Sequence, residues 1–564
     1  MPFENVAEAI TALDHEFADF GTAFSRGEYA LWVGSAISRD VVPDVKELME
    51  RVLELLRTKI DPSSTNCRFR AALEEVLDVA AITDEDRNTI DLTQPVHAWP
   101  ARQAIVRSVI NKYSDVLNVY PTGEAPDYLV WTGLDVPKTY GDSALEPDAE
   151  HYCIAILMLE GVAGEVLTTN WDGLIEAAMQ DLVSEPDDLL KVAVTTEDLR
   201  KPARRSELVK FHGCAVRARA DEDKYRALLI ARAIQISGWA TQYTLMKEHL
   251  QFVYSTKPAL LVGLSAQDAN IHTVFHQAIQ NLHREWPSSP PAVVFANQRL
   301  DYHHKHVLQV TYGNGFAGNE DDISSGSLFA AFAKPALTAL TLFTLTEKLA
   351  SLLCQVPGLN PRDATQFQGG LRSARDALAA TIRDERCFVL TLIDAVRLAS
   401  NIFRRGHVPE SGQVAYEPLS TRPIVEAIQD VDFPKEAIGR VALALALLAR
   451  AQTAVGWSLT AGSCADPSAG TVKVTTLSGT SRVFFVNDAQ AEARLRSAGY
   501  VDDDPGSAVL IFGNSVPPRA TRSPRRLYGR TGRAEVRIVD VASLISIART
   551  ADEMFEAFTL QGAF

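Results

Sequence analysis

The chain has 564 residues, of which 46% are hydrophobic, so it is long enough for two to four domains with apolar cores. Its formal net charge of −16 argues against nucleic-acid binding over the whole surface, while a local basic patch remains compatible with that charge. The six scattered cysteines are typical of a reducing cytoplasm, and the N-terminus has neither the basic region nor the apolar run of a signal peptide.

The N-terminal part of the chain predicts helices around one strand. In chain order, the hydrophobic pattern predicts an amphipathic helix up to about residue 30, a strand that ends at Gly34, and helices at 43–56, 70–81 and 101–117. The stretch 120–149 is rich in Pro, Gly and Asp. We expect it to form an insertion beside the ligand cleft and to supply a lid.

Residues 151–310 alternate predicted strands with predicted helices. This order favours an α/β fold with a doubly wound parallel, Rossmann-like sheet. We expect the final core strands of the sheet at 292–296 and 307–311. The stretch 313–326 is rich in Gly, Asn, Asp and Ser, which predicts a linker.

The chain after this linker predicts a helical region and then a small C-terminal α/β domain. Its longest apolar runs, 336–345 and 441–449, are too short to span a bilayer, so we expect buried helices and no membrane association. Strands are predicted near 471–475, 482–486, 508–512 and 535–539. The predicted domains are therefore 1–327, 328–457 and 458–564.

Polar residues follow four of the predicted strands in the first domain. They are Gly34-Ser35-Ala36-Ile37-Ser38-Arg39, Thr168-Thr169-Asn170-Trp171-Asp172, Lys210-Phe211-His212-Gly213 and Gly263-Leu264-Ser265. The carboxyl ends of parallel strands border one crevice, which is the usual ligand site of an open α/β sheet. Taken alone, Asn170 would more often be a turn-forming residue and His212 a structural histidine. Their combination favours a nucleotide site with both side chains at the reacting centre.

These four motifs resemble the sirtuin-like family over roughly the first 340 residues. The family's Gly-Ala-Gly-x-Ser is echoed from Gly34 to Ser38 and followed by Pro43, and its Thr-x-Asn-x-Asp and Lys-x-His-Gly are met in full. Its late Gly-x-Ser is met by Gly263 and Ser265, followed by Asp268 and Ile271. Ala36 replaces the second glycine of the first motif. None of the cysteines, at 67, 153, 214, 354, 387 and 464, forms a Cys-x-x-Cys pair, so the zinc site of the protein-deacylating sirtuins is missing.

The resemblance implies the bacterial branch that hydrolyses NAD in anti-phage defence, with NAD as the substrate and no metal. Asn170 would hold the nicotinamide ribose and orient a water, His212 would act as general base, and Asp172 would bind the carboxamide or cap the next helix. Backbone N–H groups at Gly34, Ser35 and Ala36 would bind the pyrophosphate at a helix N-terminus. The remaining predicted NAD contacts are Ser38, Arg39, Thr169, Trp171, Gly263 and Ser265. Asp268 is interpreted as a cap or turn residue and His151 as a packing residue.

Two other functions remain open. One is a sensor subunit that binds NAD or ADP-ribose without turnover, and the other is a zinc-independent deacylase or ADP-ribosyltransferase. A hydrolase of this kind must stay silent until triggered, so we expect a cytoplasmic homo-oligomer or a partner such as a HerA-type ATPase, and we expect a cut near Gly326 to release or silence activity. A basic stretch favours an oligomer or partner contact over a solvated loop with salt bridges to the acidic residues 502–504, and that loop over a nucleic-acid contact; its members are Arg519, Arg522, Arg525, Arg526, Arg530 and Arg533.

Overall fold

The computed structural model of the protein describes residues 3–64, 66–279, 284–407, 414–501, 506–514 and 536–564. The basic stretch 519–533 lies outside these residues. Within them, two sheets and a large number of helices form the fold.

A seven-stranded, entirely parallel sheet forms the N-terminal half. Its strands are β1 Ala30–Val33, β2 Glu165–Thr168, β3 Leu190–Ala193, β4 Ser206–Lys210, β5 Ala259–Val262, β6 Val293–Ala296 and β7 Leu328–Phe329. They are ordered β3-β4-β2-β1-β5-β6-β7. The order reverses direction on either side of β1, which confirms the predicted doubly wound sheet and places β4, β2, β1 and β5 side by side.

Both faces of this sheet are covered. In β1, Leu31 and Val33 contribute to one hydrophobic core, while Ala30 and Trp32 contribute to the core on the opposite face. Because successive side chains of a strand point to opposite faces, a strand between two helical layers needs apolar residues at every position. This requirement explains why the buried strands could be recognised in the sequence as short continuous apolar runs.

Helices of eight or more residues surround the sheet and continue beyond it. They are Val6–Asp14, Ala18–Ser25, Val45–Thr58, Arg68–Val79, Arg102–Asn111, Ala149–Leu159, Leu174–Leu182, Ala233–Gln242, Thr244–Thr256, Ala269–Ile279, Tyr302–Tyr312, Glu320–Ser327, Ala333–Leu353, Pro361–Ala379, Glu385–Arg405, Lys435–Val455, Ala489–Ser497 and Ala551–Gly562.

Shorter helical segments connect these elements. They are Ser35–Ser38, Asp84–Arg87, Val96–Ala98, Tyr113–Val116, Leu129–Gly133, Val136–Thr139, Pro186–Leu189, Thr196–Leu199, Ala215–Ala220, Glu222–Tyr225, Arg226–Leu228, Asn314–Ala317, Ile424–Ala427, Pro467–Ala469 and Val541–Ile547. The segments between β1 and Ala149–Leu159 pack into a helical layer with its own hydrophobic core, which includes Leu53, Leu77 and Val106.

The C-terminal half combines long helices with a smaller sheet. Its strands are β8 Ser458–Ala461, β9 Val472–Thr476, β10 Gly479–Val486, β11 Ala508–Phe512 and β12 Arg537–Asp540, in the order β12-β11-β10-β9-β8. β10, β11 and β12 are parallel, whereas β8 and β9 form antiparallel pairs. The predicted helical region and small C-terminal α/β unit are therefore confirmed, and β8 is a strand that the sequence did not predict.

The two longest apolar runs belong to helices that are longer than predicted. Ala333–Leu353 and Lys435–Val455 each have 21 residues, and by length and composition alone both could cross a membrane. Most of each apolar stretch is buried inside the protein, 83% in the first helix and 56% in the second. Such burial is typical of core helices, so the prediction of buried helices is confirmed although the predicted lengths were too short.

Three predictions about local structure were wrong. Residues 307–311 are helical, because Val307 and Thr311 lie one turn apart on the buried side of Tyr302–Tyr312, and the last strand of the sheet is β7 instead. The predicted linker 313–326 contains the helices Asn314–Ala317 and Glu320–Ser327, the second with three acidic residues in its first turn, where they stabilise a helix dipole. The predicted N-terminal helix is two helices, Val6–Asp14 and Ala18–Ser25.

Candidate active site

The carboxyl ends of β1, β2, β4 and β5 border one cavity of about 330 Å³. The structure brings every candidate site residue from the sequence to the wall of this cavity. They are Gly34, Ser35, Ala36, Ser38, Arg39, Thr169, Asn170, Trp171, Asp172, His212, Gly263 and Ser265. Residues separated by as many as 231 positions in the chain therefore share one site, as the topology of a parallel sheet requires.

Ser38 connects the polar side chains at the bottom of the site. The Nδ1 atom of His151 accepts the N–H of Asp148 at 3.0 Å, so Nε2 carries the proton of the neutral ring and donates it to Ser38 Oγ at 3.1 Å. Asn170 Nδ2 also donates to Ser38 Oγ, at 3.3 Å. The Ser38 hydroxyl in turn donates to Asp172 Oδ2 at 3.1 Å. The hydroxyl thus has one donor and two acceptor interactions, which fills its hydrogen-bonding capacity.

His151 contributes to this network as well as to packing. It is fully buried in Ala149–Leu159, as its interpretation as a packing residue requires. Burial lowers its pKa, and the nearby carboxylates of Asp172 and Asp148 oppose that shift. A neutral ring is the form that can accept from Asp148 and donate to Ser38 simultaneously. No pattern in the sequence indicates this contact, because His151 lies 19 positions before Asn170 and on a different element.

Asn170 has one polar atom without a partner. Its backbone N–H donates to Thr168 Oγ1 at 3.0 Å, which stabilises the turn after β2. Its side chain is buried, and within the described residues its Oδ1 accepts no hydrogen bond. An unpaired buried acceptor costs about 1–3 kcal/mol. A hydroxyl donor in the cavity, such as a ribose hydroxyl or a water, would remove that cost.

Asp172 and Lys210 fix the loop that carries Asn170. Asp172 Oδ1 accepts the N–H of Leu174, the first residue of the helix Leu174–Leu182, while its other oxygen interacts with Ser38. The buried Lys210 Nζ donates to the backbone carbonyl of Asp172 and to Glu176 Oε1 at 2.8 Å. Burial by itself would lower the pKa of Lys210, but Cys214, Glu176 and Asp172 outweigh it and raise that pKa. A charged lysine therefore joins β4 to this loop.

His212 contacts an asparagine that the sequence did not identify. His212 is 4% exposed, and its Nε2 lies 2.5 Å from Asn270 Nδ2. Burial lowers the pKa of His212, while the carboxylate of Asp268 opposes the shift. Gly213 allows the turn behind the ring, because its φ is +98° and a Cβ there would lie 2.5 Å from the Leu228 carbonyl oxygen. The only sequence signal for Asn270 is its place shortly after the Gly263 motif, where it reads as an ordinary helix-start residue.

The predicted phosphate loop differs from the expectation. Gly34 is followed by the single 3₁₀ turn Ser35–Ser38, whereas the sequence predicted a helix N-terminus. The N–H of Gly34 donates to the Val262 carbonyl and that of Ala36 to the Gly263 carbonyl. These two N–H groups hold the ends of β1 and β5 together, so they are not free for a pyrophosphate. Their place at the cavity wall is as predicted, but the donors expected at Gly34 and Ala36 are already used.

The predicted insertion covers one side of the cavity. Leu134 and Tyr140 of this stretch line it, next to Tyr113 and Leu117 of the helical stretch before it. Tyr113 donates from its hydroxyl to Asp268 Oδ1 at 3.2 Å, so Asp268 connects the helical segment Tyr113–Val116 to the strand ends, in addition to the turn role expected for it. The side chains of Tyr140 and Trp171 meet edge to face, with ring centroids 5.5 Å apart. The stretch thus lies where a lid would be, and its opening or closing stays a prediction.

No group of three or more His, Cys, Asp or Glu side chains within the described ranges is arranged to hold a metal ion. The polar atoms of the site are amide, imidazole, hydroxyl and carboxylate groups that bind one another. Such a set can orient a polar substrate and move protons.

Comparison with known proteins gives one family. Residues 164–314 match the model of the SIR2-like domain. No curated protein matches the chain. The matched segment starts just before β2 and ends after β6, so it contains Asn170, His212 and Ser265. The strand β1 and the turn with Ser38 precede it.

Proposed function

Because the chain carries a SIR2-like domain, and is therefore a sirtuin-like, NAD-related protein, we propose that it is an NAD glycohydrolase. It would cleave NAD with water to nicotinamide and ADP-ribose. The observation that carries the proposal is the unpaired, buried Asn170 Oδ1 in a cavity that His212 also lines. An amide oxygen in this position is ready to accept a hydrogen bond from the substrate ribose or from the attacking water.

The reaction mainly requires the protein to orient the substrate ribose and the attacking water. The bond between C1′ of the ribose and the pyridinium nitrogen breaks with both electrons moving to that nitrogen, so nicotinamide leaves as a neutral molecule. The ribose passes through an oxocarbenium-like state that water attacks at C1′, and one proton is released to the solvent. Asn170 positions the ribose and the water, and His212 contacts a ribose hydroxyl. Apolar side chains on the cavity wall, among them Met49, Leu134 and Ile230, exclude bulk water, which strengthens the polar interactions inside the cavity.

The rigid support of Asn170 favours turnover over simple binding. Its Nδ2 is held by Ser38, which is itself held by His151 and Asp172. This arrangement fixes the direction of Oδ1 before the substrate arrives, and preorganised polar groups are the main source of transition-state stabilisation. A protein that only sensed NAD or ADP-ribose would not need an oriented amide at the reacting carbon.

We also propose that the activity is regulated. Uncontrolled loss of NAD is toxic to a cell, so such a hydrolase must be inactive until a trigger acts. An anti-phage effector that acts in the cytoplasm as a homo-oligomer, or with a HerA-type ATPase, would meet this requirement. The support for this part is the resemblance of the site motifs and the absence of a Cys-x-x-Cys pair in the sequence.

The test is product analysis with purified full-length protein and NAD, alone and with candidate partners. Asn170→Ala should lower kcat/KM by about 100-fold or more, because it removes an oriented polar group from the reacting centre. The control is Asn111→Ala, an exposed asparagine at the end of Arg102–Asn111, which should leave the rate unchanged. Turnover by Asn170→Ala at the parent rate would refute the site. Saturable binding of NAD without nicotinamide release under every condition would favour the sensor instead.

A further inference from the structure

Asn270 holds the ring of His212 in a defined chemical state. Its amide Nδ2 lies 2.5 Å from His212 Nε2, and both side chains are buried. An amide nitrogen donates and does not accept, so Nε2 must be the acceptor in this contact. The neutral ring then carries its proton on Nδ1.

The orientation of the Asn270 amide is set by a second contact. Its Oδ1 accepts the backbone N–H of Ile271 at 2.9 Å. Turning the amide over would direct its NH₂ group at that N–H and place two donors against each other. Within the described part of the chain, His212 Nδ1 has no protein hydrogen-bond partner. The ring nitrogen that bears the proton is thus the one left for a ligand in the cavity that His212 lines.

We propose that Asn270 is a positioning residue that keeps the His212 proton on Nδ1, so that the imidazole meets its ligand as a hydrogen-bond donor. This assignment differs from the general-base role that the family resemblance implies. Its meaning for catalysis rests on the proposed function. With NAD bound, the Nδ1–H donates to a ribose hydroxyl oxygen and so positions the ribose. The proton released by the attacking water passes to the solvent. No bond to His212 forms or breaks.

The charged surroundings of His212 are consistent with a neutral donor. Asp268 is the nearby carboxylate, and its Oδ1 already accepts the hydroxyl of Tyr113. Burial lowers the pKa of His212 more than Asp268 raises it. A protonated ring would also carry a proton on Nε2. That N–H would face the NH₂ group of Asn270, and two donors facing each other are unfavourable.

The first experiment measures the tautomer directly. Full-length protein is labelled with ¹⁵N-histidine, and long-range ¹H–¹⁵N spectra distinguish a ring protonated on Nδ1 from one protonated on Nε2. His212→Gln identifies the signal by its disappearance. The expected result is the Nδ1–H form in the parent. In Asn270→Asp a carboxylate faces Nε2, so the proton should move to Nε2. The matched control is Asn297→Asp, whose Oδ1 likewise accepts the next backbone N–H, at 2.8 Å from Gln298, and which should not change the His212 signal.

An Nε2–H ring in the parent, or an unchanged ring in Asn270→Asp, would overturn the proposal. If Asn270→Asp does not fold, Asn270→Ala serves, because loss of the amide donor should produce both tautomers.

The second experiment measures kcat/KM against pH. Asn270→Asp should lose about 100-fold in kcat/KM at a pH where the ring is neutral. It should recover activity at acidic pH, because a carboxylate stabilises the charged ring and that ring carries a proton on Nδ1. If neither the parent protein nor any variant cleaves NAD while His212 of the parent is in the Nδ1–H form, the proposed hydrolase fails and the role of Asn270 stands.

Discussion

Glu150 is a buried carboxyl directly before His151 in the helix Ala149–Leu159. It is 5% exposed, and within the described residues its Oε2 has no hydrogen-bond partner. Burial raises the pKa of this carboxyl to about 8, and Lys334 offsets the shift only partly. The group therefore keeps its proton in the folded protein at a pH where it would lose it in the unfolded chain. Such a group makes stability depend on pH close to the site.

The sign of this dependence follows from the two pKa values. The folded state holds the Glu150 proton up to about pH 8, whereas the unfolded chain releases it near 4.5. The contribution of Glu150 to the free energy of unfolding is therefore complete below the pKa of the unfolded chain. It is lost as the pH rises through the pKa of the folded state, at about 1.4 kcal/mol per pH unit between the two pKa values. Urea unfolding of the parent and of Glu150→Gln at pH 5.5, roughly 7 and 8.5 measures it. The Gln variant should lack this decline in the free energy of unfolding, and an identical slope in both proteins would contradict the assignment.

At the scale of elements, the site depends on a close contact between the turns after β1 and β5. A Cβ added to Gly34 would lie 2.5 Å from the Gly263 carbonyl oxygen, and Gly263 itself has a φ of +63°. The N–H groups of Gly34 and Ala36 donate across this contact. The glycines therefore set the distance between the strand ends that carry Ser38 and Ser265. In this structure they serve strand packing, whereas the sequence resemblance assigned Gly34 to phosphate binding and Gly263 to an NAD contact.

Gly34→Ala should separate these two turns. We expect the free energy of unfolding to fall by about 1–3 kcal/mol, as for an overpacked core, and the KM for NAD to rise because the cavity wall moves. Urea unfolding and steady-state kinetics measure the two effects. The matched control is Gly164→Ala, just before β2, where a Cβ meets nothing within 4 Å and where the free energy should change by less than about 1 kcal/mol. Equal behaviour of the two variants would show that the contact does not position the site.

The elements also show what the sequence could and could not predict. The buried parallel strands were recognisable because they need apolar residues at every position, and their polar C-terminal residues located the site. Residues 307–311 were predicted to be a strand because Val307 and Thr311 are β-branched, but in the structure both lie on one face of a helix. Asn270 was not predicted because only the folded chain brings it into contact with His212. His151 likewise looks like core packing until Ser38 is near it.

At the scale of the whole molecule, the helix Ala333–Leu353 joins the two halves. Its N-terminal part lies in the core of the seven-stranded sheet, and its C-terminal part lies in the core of the second sheet. Lys334 pairs at 2.8 Å with Asp148, the N-cap of the helix that carries His151, and also with Asp40, which follows the turn that carries Ser38. Further along, the fully buried Lys348 pairs with Glu160 at 2.7 Å. The C-terminal half is thus connected to the site by the same helix that completes the core beneath it.

A chain cut after Gly326 should therefore fail to fold, in contrast to the sequence-based expectation that such a cut releases or silences activity. The cut removes β7 and the buried side chains of Leu337, Leu340 and Phe343 from the first core. Each such side chain contributes roughly 1.5–3 kcal/mol, a large share of the 5–15 kcal/mol typical of a folded protein. It also removes Ala330, whose carbonyl accepts the N–H of Phe3. Thermal unfolding and gel filtration of residues 1–326 test this, with residues 327–564 supplied as a second chain to restore a soluble product. A soluble 1–326 with a cooperative unfolding transition would show that the first half does not need the helix, and that the C-terminal half has a separate task.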